Sequence, residues 1–278
     1  MIYQLDKRDY YKIKKLLQTP DQKNDLTLNS IINGMNRGTL YVDNPQAPKT
    51  ALIDVTGIIS LFIGDATNQK FIEALPDFLN HQLKTDTYES CGGTCFLTVA
   101  TDEAWEQTLE KVLADRVYET DEELYYRFNP ESFTSLKETY NPLPDHYHVR
   151  KMDREVIEKD SDGILSEVLE EVWYSLEDFY THGLGYCVTK GNEVVSACFS
   201  CCVFENRHEI SVETYDEQHM NKGLATLVCS AYLEHCMKEG LTPLWSTLKT
   251  NPESKHLAEK LGFEFESKRK TFEFEWSS

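Results

Sequence analysis

The apolar positions recur with two periods along the chain, and the switches between them mark its elements. Strands are predicted where β-branched and aromatic residues cluster in short runs: "TLYVDN" (39–44), "TALIDV" (50–55), "IISLFIG" (58–64), "CFLTVAT" (95–101) and "ELYYRFN" (123–129). Helical spacing predicts helices at Asp6–Leu17, Leu26–Gly34, near Asn68–Leu83 and near Asp102–Ala114. In the last of these Trp105, Leu109, Val112 and Leu113 share one face, and Asp102 reads as an N-cap. The segment "NPLPDHYH" (141–148) holds two prolines without periodicity and reads as a linker, dividing the chain into 1–140 and 146–278.

Beyond it the order repeats. A strand "YHVRKM" (147–152) leads to a helix near Gly163–Phe179, whose Ile164, Leu165, Val168, Leu169, Val172, Trp173 and Leu176 form a broad apolar stripe. Strands "LGYCVTK", "EVVSACFSCCVF" and "HEISVETY" follow, then a helix opening at Gly223. A strand "PLWSTLK", a helix "NPESKHLAEKLG" and a final strand-pair region from Phe263 to Trp276 complete the chain. Each half therefore reads as helix, three strands, helix, strand, helix, strand. A three-strand meander followed by strand–helix alternation predicts a mixed sheet, an α/β class of fold, in each half.

Composition adjusts this picture. The 278 residues suffice for two ordinary domains. The longest apolar runs fall far short of a membrane span, and "MIYQLDKRDYYKIKKLL" is charged throughout, so the expected location is the cytoplasm and no membrane partner is expected. The net charge of −19 divides evenly: up to Asp145, 14 basic and 23 acidic residues give −9, and the remainder, 14 and 24, give −10. Such a field disfavours nucleic acid and favours cationic small molecules. Of eight cysteines, most lie in apolar runs as small buried hydrophobes; "CGGTC" (Cys91–Cys95) reads as a loop entering a strand. No Cys or His spacing points to a metal.

One stretch carries chemistry. In "MNKGLAT" (Met220–Thr226) a glycine opens a helix directly after a strand. The first N–H groups of a helix lack internal partners and its dipole makes that end positive, so an anion can dock where no side chain blocks the approach. Gly223 and Ala225 keep it open and Lys222 adds a cation; tight strand–helix packing is the alternative reason for the glycine.

"MNKGLATLVCSAYLEHCMKEGLTPLW" followed by "NPESKHLAEKLGFEFE" resembles the GNAT superfamily of acyl-CoA-dependent N-acyltransferases, in its two-domain bacterial branch. Gly223 and Ala225 match the last two fixed positions of that family's Arg/Gln-x-x-Gly-x-Gly/Ala pyrophosphate loop. Asn251 and Lys260–Phe263 match its second signature. The resemblance implies a GNAT-like fold in the C-terminal half, with a degenerate GNAT-like copy before it that carries "FIGDATNQKF" where the loop should be. It further implies acyl transfer from acetyl-CoA, as cosubstrate, to an amine. The acceptor would be a small molecule, and the N-terminal half would shape the acceptor cleft or a homodimer contact.

On that reading the diphosphate lies on the main chain of Met220, Asn221, Lys222, Gly223, Leu224, Ala225 and Thr226. The pantetheine arm pairs with the strand edge Val212–Glu213–Thr214. A backbone N–H there would steady the carbonyl oxygen as charge develops on it. Glu209 and Glu213 alternate onto one strand face, and Glu213, nearer the loop, is the candidate base for the amine. Ser254, Tyr215 or water would assist the leaving thiolate, and Asn251 either contacts the cofactor or caps its helix. Two residues depart from the family pattern: Met220 stands where Arg or Gln is usual, and Ala258 where many members place a proton-donating tyrosine. A non-catalytic acyl-CoA-binding or regulatory module is the alternative these two departures motivate.

Overall fold

The computed structural model describes residues 1–276. It divides into two compact units, one of Met1–Glu123 with the chain's end from Lys268, the other of Leu124–Ser267. The expected linker therefore does not separate them. Residues 141–146 are irregular as predicted, but they lie inside the second unit, and the division falls within two long strands, β6 (Glu119–Phe128) and β12 (Phe263–Glu275). The region predicted as a closing strand pair is this single 13-residue strand. No proline or glycine interrupts it, so nothing in the sequence forces a turn.

The first unit begins with β1 (Tyr3–Gln4) and a 3-10 helix, Lys7–Leu16, where an α-helix is predicted. It continues through α1 (Pro20–Asn24), α2 (Leu26–Ile32), β2 (Thr39–Val42), β3 (Thr50–Val55) and β4 (Ile59–Gly64). Next come α3 (Gln69–Phe78), a π turn that carries the helix on into α4 (Lys84–Cys91), β5 (Cys95–Val99) and α5 (Glu103–Val112). Asp102 caps α5 as predicted, accepting from the Trp105 N–H at 2.9 Å. Every residue of β3 is buried, as both faces of this sheet are covered.

The second unit holds α6 (Pro130–Lys137), β7 (Tyr147–Lys151), α7 (Arg154–Lys159), α8 (Ile164–Val172) and α9 (Leu176–His182). These are followed by β8 (Gly185–Lys190), β9 (Glu193–Phe204), β10 (Arg207–Thr214), α10 (Leu224–Glu239), β11 (Thr242–Leu248) and α11 (Pro252–Lys260). The single helix expected over 163–179 is two helices, because Ser175 starts a new one by accepting from the Asp178 N–H at 3.2 Å. Strands β7 to β10 form the antiparallel meander, and β11 joins β10 in parallel. Leu224, Val228, Tyr232, Leu233 and Cys236 of α10 pack into the core of this unit. Among the described residues no helix is long and apolar enough to cross a membrane.

Candidate cofactor-binding site

Strand β10 is paired along its full length on one side and over a fraction of it on the other. With β9 it pairs from Arg207 to Thr214, with a register shift between Glu209 and Ile210. With β11 it pairs only from Arg207 to Glu209. A bulge at Glu209/Ile210 sets where the two parallel strands part. The junction is pinned by Ser246 of β11, whose hydroxyl donates to the Glu209 carboxylate at 2.6 Å. The far end of β10 is held to β9, where Ser196 Oγ donates to the Glu213 carbonyl at 2.7 Å and Thr214 Oγ1 to Ser196 Oγ at 3.1 Å. The edge from Ile210 to Thr214 that faces away from β9 is thus presented by a strand that cannot swing across to close it. An extended, peptide-like chain fits such an edge as an added strand.

Parallel strands with following helices place both helix starts at one end of the sheet, where open α/β sheets bind ligands. Here those are α10, after β10, and α11, after β11. Gly223, the residue before α10, has φ +76° and ψ 10°, a left-handed conformation that glycine adopts without strain. A β-carbon there would project into open space, with no protein atom within 4 Å. No side chain caps α10, and its first internal bond runs from Leu227 N–H to the Gly223 carbonyl. The N–H groups of Leu224, Ala225 and Thr226 therefore lie ahead of the helix's own ladder, at its positive end.

The loop leading to them is anchored from below. His219 is 1% exposed; its Nδ1 pairs with the Tyr147 hydroxyl at 2.8 Å and its Nε2 faces the Glu193 carboxylate at 3.5 Å. Asp216 accepts from the Gln218 N–H at 2.8 Å. Lys222 folds back, donating to the Gln218 carbonyl and lying 3.4 Å from the Tyr147 hydroxyl. Tyr147 and His219 escaped the sequence reading because their pairing spans 72 residues. Met220 is solvent-exposed.

The other candidates lie at the end of β10, just after it, and on α11. Glu213 is exposed near the end of β10. The Tyr215 hydroxyl is buried with no hydrogen-bond partner among the described residues, and its pKa is raised, first by burial and then by Glu213, Cys187, Asp160 and Glu171. Asn251 caps α11, accepting from the Ser254 N–H at 3.0 Å, and Pro252 occupies the first helical position. Ser254 Oγ accepts a hydrogen bond from Trp245 Nε1 of β11 at 3.1 Å. Ala258 is fully buried in the core.

In the first unit the corresponding strand edge is filled. Strands β4 and β5 pair in parallel only at Ser60 and Leu61. Past that point Thr101 donates to the Phe62 carbonyl, Thr108 Oγ1 to the Ala66 carbonyl at 2.9 Å, and Trp105 stacks on Phe62 at 4.9 Å. Before α3, which like α10 has no side-chain cap, Asn68 Nδ2 donates to the Asp43 carboxylate and to Thr50 Oγ1 at 3.0 Å, so an acidic group lies beside that helix start.

A splayed parallel strand pair feeding an uncapped helix is the arrangement of acetyltransferases that take their acyl group from coenzyme A. The family model for GNAT acetyltransferases matches residues 14–272, and the chain belongs to that family. It is 28% identical over 263 residues, 95% of each chain, to an uncharacterized N-acetyltransferase, YdfB, of Bacillus subtilis (strain 168). A GCN5-related N-acetyltransferase-like protein from Streptococcus suis shares the fold, with a TM-score of 0.68 at 23% identity over 97% of this chain and 99% of that one. A tandem GNAT protein from the clavulanic acid biosynthesis pathway superposes with a TM-score of 0.58 at 10% identity, over 100% and 99% of the two chains. The GNAT-like fold expected from the sequence is thus established.

Proposed function

We propose that this protein transfers an acetyl group from acetyl-CoA directly to an amine of a small molecule, and that the second unit carries the site. The observation that supports this most is the conjunction of the free β10 edge from Ile210 with the open, uncapped start of α10. The diphosphate would rest on the main-chain N–H groups from Asn221 to Thr226. The pantetheine arm would run along Val212–Thr214. When bound, acetyl-CoA supplies an activated thioester. A β10 N–H polarises its carbonyl, which counts most in a site that excludes water.

The acceptor arrives protonated, since an ordinary alkylamine has a pKa of roughly 10. Glu213, exposed at the end of β10, takes that proton directly or through water. A net charge of −19 draws cationic acceptors towards the protein. In the first unit the filled strand edge and the Asp43 carboxylate beside the start of α3 favour a shaping or dimer-forming role for that unit.

The test is release of free thiol from acetyl-CoA across a panel of amines. The proposal predicts release with at least one amine, slowed by Glu213→Gln. The second reading, a non-catalytic acyl-CoA-binding module, draws on exposed Met220, a poor partner for phosphate, and on Ala258, which brings no hydroxyl. Binding of coenzyme A without thiol release from any amine would select it.

A further inference from the structure

Ser254 differs from two other helical serines of this unit, Ser230 and Ser135. Ser230 and Ser135 donate their hydroxyl protons to the carbonyls four residues earlier, at 2.7 and 3.1 Å. Ser254 instead receives a hydrogen bond, from Trp245 Nε1 at 3.1 Å. An indole N–H only donates, so the serine oxygen must be the acceptor. Among the described residues, no hydrogen bond takes the Ser254 proton. The tryptophan is itself fixed: it is 3% exposed and packs against Phe263 at 5.4 Å. Ser254 is half-buried in the first turn of α11, one turn before Ala258 on the same face.

We propose that Trp245 is a positioning residue for acyl transfer. Its N–H occupies a lone pair of Ser254 and turns the serine hydroxyl outward, as a hydrogen-bond donor to the sulfur that leaves. This rests on the acetyl-CoA reading above. As the amine nitrogen bonds to the acyl carbon, the C–S bond breaks and its electron pair stays on sulfur. Ser254 stabilises that thiolate without giving up its proton, because an aliphatic hydroxyl is a far weaker acid than a thiol. The nitrogen sheds two protons: Glu213 takes the one the ammonium loses before attack, and water carries the one lost after the C–N bond forms to the thiolate. A donor already polarised by the indole is a stronger one. The pair thereby does part of the work of the hydroxyl that Ala258 lacks.

The experiment uses the full chain and coenzyme A carrying 13C beside the sulfur, with its NMR shift followed against pH. Bound to the native protein, the thiol pKa is expected about one unit below that in Ser254→Ala and in Trp245→Phe, a tenfold difference in thiolate. Ser254→Thr, which keeps the hydroxyl, should retain the lowered value. Equal pKa values in native, Ser254→Ala and Trp245→Phe proteins overturn the proposal while leaving the cofactor site intact. Coenzyme A that does not bind the native protein overturns the acetyl-CoA reading itself. Should Trp245→Phe not fold, the indole N–H resonance of native Trp245 decides. Tightening of its hydrogen bond on binding moves the resonance downfield, and a resonance that coenzyme A leaves in place overturns the proposal.

Discussion

Replacing Gly223 with alanine separates two roles for this glycine. At φ +76° and ψ 10° an L-residue pays left-handed strain of about 1–2 kcal/mol. The lower entropy of the unfolded alanine chain returns about 0.4–1 kcal/mol of this. The net loss of stability should be about 1 kcal/mol, measurable by urea denaturation. The new methyl meets no protein atom within 4 Å, so packing adds nothing to that cost. It does project into the space before α10, where a diphosphate must approach the main chain. Coenzyme A affinity, measured by calorimetry, should therefore fall at least about tenfold, or about 1.4 kcal/mol. A variant that loses about 1 kcal/mol of stability yet binds coenzyme A as well as the native chain refutes the cradle, and leaves Gly223 as a turn residue only.

Three further outcomes are expected. Glu213→Gln should lower kcat by about 100-fold with coenzyme A affinity unchanged, as read from steady-state kinetics and calorimetry; a parallel loss of affinity would contradict its role as base. His208, 4% exposed and bonded to Ser200, has its pKa depressed to about 4, by burial first and then by His235, from an ordinary 6.5. The unfolded chain binds that proton more readily, so the second unit should lose up to about 3 kcal/mol as the pH falls from 6.5 to 4, and denaturation that is flat across this range would contradict the assignment. Asp54 runs the other way: burial raises its carboxyl to about 6 from 3.8, so its contribution to the first unit is greatest at low pH and is lost as the pH rises through about 6; Asp54→Asn should stabilise that unit by up to about 3 kcal/mol at neutral pH, against no change if the carboxyl titrates normally.

The helix starts of the candidate site were readable because each has a local cause. A glycine before an apolar helical run marks the start of α10, and "NPES" marks the start of α11. The same tetrapeptide, Asn129–Ser132, starts α6, with Asn129 Oδ1 accepting from Glu131 and Ser132; that helix was missed although its signal was present twice in the chain. The break before α9 was likewise signalled by Ser175 followed by Asp178. The parting of β10 from β11 left no mark in the sequence, because it depends on register between strands far apart in the chain. For the same reason neither the Tyr147–His219 anchor nor the Trp245–Ser254 pair could be read from periodicity. The boundary between units was misplaced at the prolines of 141–148, since a linker-like composition reports local irregularity and not which strands pack together.

The claim on which the rest depends is that the main chain at the start of α10 holds the diphosphate of coenzyme A. Titrating coenzyme A into the 15N-labelled protein and following the backbone amides tests it directly. The account predicts that the largest shifts fall on Gly223, Leu224, Ala225 and Thr226, with smaller ones along Val212–Thr214. Amides from Asn221 to Thr226 that stay in place while coenzyme A binds, or shifts confined to the first unit, would contradict it.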